Sequence, residues 1–136
     1  MSRSARTERV ERMFAAFDDH DPDSVMAEMA EGMTFDDPLQ GEALTRDEFY
    51  EVCVGFFHVF PDARWDTERL LTDRDDAVAV QGTFRGTFEE PFHGMAPTGE
   101  SVALPTVSLF TVSDDGITAW RDYWDLVTFR EQLGVA

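Results

Sequence analysis

Pro61 divides this chain into two stretches with different hydrophobic periods, helical before it and strand-like after it. A chain built this way has to lay helices on one face of a sheet, because each element alone leaves an apolar surface in water. In the first stretch, Val10, Met13, Phe14 and Phe17 recur at i, i+3, i+4, i+7, which predicts a helix over 4–19. Asp21 can cap a second helix with Pro22 at its first position and Gly32 after its end. Thr45 and Glu48 form a capping box for a third, whose apolar face runs through Phe49, Val52, Cys53, Phe56 and Phe60 until Pro61 stops it.

Beyond Pro61, strands are expected over 65–72, 77–88, 101–112 and 117–125, with acidic turns at Asp73-Arg74-Asp75-Asp76 and Ser113-Asp114-Asp115-Gly116. Pro105 points to an edge or a bulge in the third of these. A loop over 89–100 carries two Pro and two Gly, and a short helix from about Val127 to Leu133 ends before Gly134. The pattern is α+β, and 136 residues fit one domain over 1–136.

Charge narrows the function. There are 28 acids against 11 bases, every base is Arg, and the net charge is −17. DNA, RNA and anionic membrane all require basic surface and are excluded as partners. Acidity without Lys resembles the surface of halophilic archaeal proteins, where salt screens carboxylate repulsion. The acid clusters are accordingly read as solvated turns. Cys53 is the sole cysteine, which rules out an intrachain disulfide and a thiolate metal cluster. His20, His58 and His93 are dispersed, no two at i, i+4 spacing, so no metal site is expected. His20 is assigned to a helix end and His58 to partly buried packing. Without an apolar run for a span or a leader, the expectation is a cytoplasmic protein off the membrane.

The segment from Ile117 to Asp125 carries most of the chemistry. Alternation puts Trp120, Asp122 and Trp124 on one face and Arg121, Tyr123 and Asp125 on the other. A carboxyl between two indoles on an inward face is poorly solvated, its pKa rises, and it becomes a general acid or base near neutral pH. The competing reading has Asp122 paired with an Arg, or the opposite face buried. Twelve Phe, six Met and three Trp can line an apolar cavity, which points to a small apolar organic ligand.

The run Trp120-Arg121-Asp122-Tyr123-Trp124-Asp125 resembles the C-terminal third of SnoaL-like polyketide cyclases and of limonene epoxide hydrolase. So do Gly94-Met95-Ala96-Pro97-Thr98-Gly99, Phe110, Gly116-Ile117 and Gln132-Leu133-Gly134. That resemblance implies a ketosteroid-isomerase-like, nuclear transport factor 2-like (cystatin-like) fold: a cone-shaped curved antiparallel sheet packed on three N-terminal helices. It also implies homodimers, no cofactor, and Asp122 as the catalytic base. Phe35 and Asp37 stand where these families place an aromatic residue and an Asn before Pro; as an acid, Asp37 could hold a water, share a proton with Asp122 or cap a turn before Pro38, and the turn is the favoured reading. Ser108 matches a cyclase His, and a hydroxyl can only donate a hydrogen bond there. His93 is the histidine positioned to supply what Ser108 lacks. Arg85-Gly86-Thr87 lacks the acid of the hydrolase's Arg-x-Asp pair.

Trp120, Trp124, Asp37, Phe35, His93 and Ser108 are therefore the expected substrate-binding set around Asp122. Three functions remain open at this point. One is isomerisation, cyclisation or hydration of an apolar carbonyl-type substrate. The second is a non-catalytic binding or dimerisation module. The third is an epoxide hydrolase with its missing acid on another strand.

Overall fold

A computed structural model describes residues 2–135. Four helices and five strands are present among them, in the order α1 (Arg3–Asp18), α2 (Pro22–Ala27), β1 (Met29–Asp36), α3 (Arg46–Val59), β2 (Arg64–Thr72), β3 (Ala77–Thr87), β4 (Ser101–Ser113), β5 (Gly116–Tyr123) and α4 (Leu126–Leu133). The strands form one curved sheet in the order β1-β5-β4-β3-β2, so the α+β reading stands.

Local chemistry explains the helix boundaries. Ser2 accepts from the Ala5 amide at the start of α1, and Asp21 accepts from Ser24 at the start of α2. The Thr45–Glu48 capping box closes in both directions at α3. Asp125 caps α4, and Gly134 ends it in the left-handed region at φ 78°.

The first strand was not expected. Met26, Met29, Ala30 and Met33 sit at i, i+3, i+4, i+7, so the sequence reads as a helix continuing to Gly32. The helix stops at Ala27, and Met29–Asp36 joins the sheet beside β5. That pairing is parallel, with Phe35 opposite Trp120 and Asp36 opposite Arg121, while all other neighbours run antiparallel. A register shift between Met29 and Thr34 breaks the inside–outside alternation.

Pro105 lies in a strand that is central by sheet order, yet β5 ends at Tyr123, opposite Val107. The segment of β4 holding Pro105 therefore has a neighbour only in β3. On the open side, the Gln132 amide of α4 accepts from Ala103 N at 2.8 Å and donates to Ala103 O at 3.0 Å. Two residues further along, the missing N–H of Pro105 faces the same open side, where no strand bond is lost.

The core lies between the helices and the inner sheet face. Phe60, Phe88, Phe110, Met13, Met33 and Ile117 are its largest fully buried side chains. Each buried side chain of this kind contributes about 1.5–3 kcal/mol. Phe14 of α1 stacks on Trp65 of β2 at 4.8 Å, fixing α1 across the sheet. Gly82 is required beneath that tryptophan, because a Cβ there would lie 2.5 Å from Trp65 Cζ2 and 2.4 Å from Asp66 O. On the outer face Val107, Leu109 and Tyr123 remain exposed.

Candidate active site

The curved sheet and the helices enclose a cavity of about 120 Å³. All seven residues singled out from the sequence, Asp122, Trp120, Trp124, Asp37, Phe35, His93 and Ser108, line it. The other polar groups on its wall are Gln40 and Thr106, and most of the rest is aromatic. Trp120 anchors the aromatic wall, with ring centroids 5.0 Å from Phe110, 5.2 Å from Phe49 and 5.4 Å from Phe35.

Asp122 sits opposite Ser108 in the β4–β5 register. Ser108 Oγ donates to Asp122 Oδ1 at 2.5 Å, and Trp120 Nε1 donates to the same oxygen at 2.7 Å. Two fixed donors on one oxygen lock the carboxyl's orientation. Among the described residues no hydrogen bond reaches Oδ2, and Asp122 is only half-buried as a residue. Burial in apolar surroundings pushes the Asp122 pKa up to about 7. The Ser108 and Trp120 donors oppose that rise, and the negative charge of Asp37 adds to it. Among the described residues no arginine pairs with Asp122: the neighbouring Arg121 points to the other face and binds Asp36 across the sheet at 3.0 Å.

Asp37 follows β1 directly. Its Oδ1 accepts from the Leu39 amide at 2.9 Å and the Gln40 amide at 3.2 Å, forming the turn expected before Pro38. It faces the cavity as well, and burial holds its pKa above the usual aspartate value against the pull of those amides. His93 is exposed at the cavity rim. It and Gly94 have φ of 47° and 76° in a two-residue turn closed by reciprocal bonds between Phe92 and Met95. Trp124 lies just past the end of β5, its ring 5.0 Å from Phe129.

Other candidates lie elsewhere. Arg85 finds an acid on another strand, with Asp66 of β2 at 2.6 Å, but both are exposed and neither lines the cavity. The arginine–acid pair of an epoxide hydrolase is thus not assembled around Asp122. His58 is exposed in a shallow depression beside Pro61, Glu89 and Glu90, rather than packed, because its helix turns that side outward. His20 follows the end of α1, with Nε2 2.6 Å from Ala63 O. Asp73 Oδ1 accepts from the amides of Asp75, Asp76 and Ala77, a turn rather than a ligand set. Among the described residues no His, Cys, Asp and Glu cluster could hold a metal, and no helix is long and apolar enough to cross a membrane.

Sequence reasoning missed Gln40, Thr106 and Cys53 as cavity residues. Cys53 is legible as a buried helix residue, and burial pushes its thiol up to about 12, leaving it inert. Gln40 sits in a loop with no periodic signal at all.

The SnoaL-like polyketide cyclase family model matches residues 8–133. No curated protein matches the chain. Among solved structures, a proposed SnoaL-like polyketide cyclase from Jannaschia is 23% identical with a TM-score of 0.87, covering 98% of this chain and 94% of that one. AclR, a proposed hydroxylase from Streptomyces galilaeus, is 19% identical with a TM-score of 0.86, covering 99% and 88%. A protein of ketosteroid isomerase-like fold from Catenulispora acidiphila, solved with trimethylamine, is 21% identical with a TM-score of 0.79, covering 95% and 94%. At these identities the likeness is one of fold.

Proposed function

The chain belongs to the SnoaL-like polyketide cyclase family, and from that premise we propose that it is a cofactor-independent enzyme using Asp122 as a general base on an apolar carbonyl compound. The observation that carries this reading is the state of one carboxyl: Oδ1 is held by Ser108 and Trp120, Oδ2 is free, and the pKa stands at about 7. A base works best when its pKa lies near the working pH, since it is then both ionised and strongly proton-accepting.

In the first step Oδ2 of ionised Asp122 takes a proton from a carbon beside the substrate carbonyl, leaving an enolate and a protonated Asp122. Return of that proton to a different carbon is an isomerisation. Attack of the enolate carbon on a second carbonyl of the same molecule is a ring closure, and Asp122 then gives its proton to the new alkoxide. The Ser108 hydroxyl and the Trp120 N–H keep Oδ2 aimed at the substrate, and the aromatic walls exclude water. The size and lining of the hollow support a compact aromatic or alicyclic substrate.

The test uses 2-tetralone, an apolar ketone with exchangeable α-hydrogens, in D2O. Wild-type protein is expected to accelerate deuterium incorporation, and Asp122→Asn to return the rate to background. Equal acceleration by both proteins would refute the base assignment.

A further inference from the structure

The cavity contains a second carboxyl for which the reaction above has no task. β1 and β5 run parallel with Phe35 opposite Trp120 and Asp36 opposite Arg121. β1 ends there, and the next residue on each side, Asp37 and Asp122, lines the same hollow as Phe35 and Trp120. Both acids line the hollow, whereas Asp36 and Arg121 pair on the opposite face. We propose that Asp37 is a positioning residue for the base: the Leu39 and Gln40 amides hold it as a carboxylate next to Asp122, and its charge sets how readily Asp122 accepts a proton.

The two acids differ in what holds them. Asp37 has two backbone N–H donors on Oδ1, fixed by the turn itself. Asp122 has a hydroxyl and an indole donor in more deeply apolar surroundings. Asp37 therefore ionises first, while Asp122 is still neutral, and Asp122 then has to ionise against an existing negative charge. Of the lining side chains only Asp37, Cys53, His93 and Asp122 titrate. Cys53 stays a neutral thiol, and His93 stands at the exposed rim. To this cavity α1, α2, β2, β3, β4 and α4 contribute only apolar, indole or hydroxyl side chains.

The inference rests on Asp122 being the base, yet its test needs no substrate. Carboxyl 13C chemical shifts of Asp122 and Asp37 are followed against pH in wild type, Asp37→Asn and Asp122→Asn. The Asn carbonyl at position 37 can still accept from the Leu39 and Gln40 amides, so the turn survives while the charge is gone. Asp37→Ser, whose hydroxyl suits the same turn, repeats the measurement should the Asn variant not fold.

The expected result is asymmetric. The Asp122 midpoint moves to lower pH when Asp37 is neutralised, and the Asp37 midpoint stays in place when Asp122 is neutralised. An unmoved Asp122 midpoint overturns the proposal. So does an equal displacement of both, which is the mark of general loosening. The ascending limb of the 2-tetralone exchange profile should move to lower pH together with the Asp122 midpoint. Loss of that exchange dependence with the midpoint still moving would overturn the base assignment alone and leave the coupling intact.

Discussion

Replacing Asp122 with Asn should make the protein more stable at pH 8 while removing its proposed activity. The folded-state pKa of about 7 lies above the ordinary aspartate value of 3.8. Between those values the native chain binds a proton that the unfolded chain has released, so stability falls as pH rises through that window and levels off above about 7. A gap of about three pH units at about 1.36 kcal/mol each sets a ceiling of about 4 kcal/mol. Relaxation and water entry around a buried charge reduce this, and a gain of ~2–4 kcal/mol is expected for the variant at pH 8.

Asn is suited to the site, because its carbonyl can accept from Ser108 and Trp120 where Oδ1 does now, and its NH2 takes the place of Oδ2. The assay is urea unfolding of both proteins in concentrated KCl, with midpoints compared at equal m-value. The difference between the two curves isolates Asp122 from the titration of the other acids. At pH 4 the two proteins should be nearly equal, because the wild-type carboxyl is then neutral in the native state. A variant less stable than wild type at pH 8, or a difference that does not change with pH, would refute the claim that Asp122 is held at an energetic cost.

Two further outcomes follow from the same geometry. Ser108→Ala removes a donor that favours the charged form, worth about 1.5–3 kcal/mol for a hydrogen bond to an ionised group. The Asp122 midpoint should rise by about one to two pH units, read by the same 13C titration. Gly82→Ala drives a methyl into the Trp65 ring and the Asp66 carbonyl, at 2.5 and 2.4 Å. A loss of about 1–3 kcal/mol, seen as a lower Tm, is expected from that overpacking.

What the sequence discloses and what it conceals follow from the range of the interactions involved. The capping box at Thr45 and the face-sharing of Trp120 and Asp122 depend on residues a few positions apart, and periodicity reads them directly. β1 depends on β5, nearly ninety positions away, and its methionines happen to keep helical spacing across the turn, so local pattern argues for the wrong element. The partnership of Ser108 with Asp122 needs the β4–β5 register, which no single strand encodes. Asp37 is legible as a turn residue before Pro38, whereas its place in the same cavity as Asp122 has no local signal and is legible only through the family resemblance. Gln40 carries no signal because loop residues follow no period.

The amide clamp of Gln132 on Ala103 joins the chain's last helix to the strand that carries Ser108. One turn back on that helix, Phe129 forms part of the wall of the same cavity, its ring against Trp124. Helix α4 therefore helps close the cavity that holds a carboxyl on a different strand. Opening that wall, for example with Phe129→Ala, should admit water and move the Asp122 midpoint down toward the ordinary aspartate range, read by the same 13C titration.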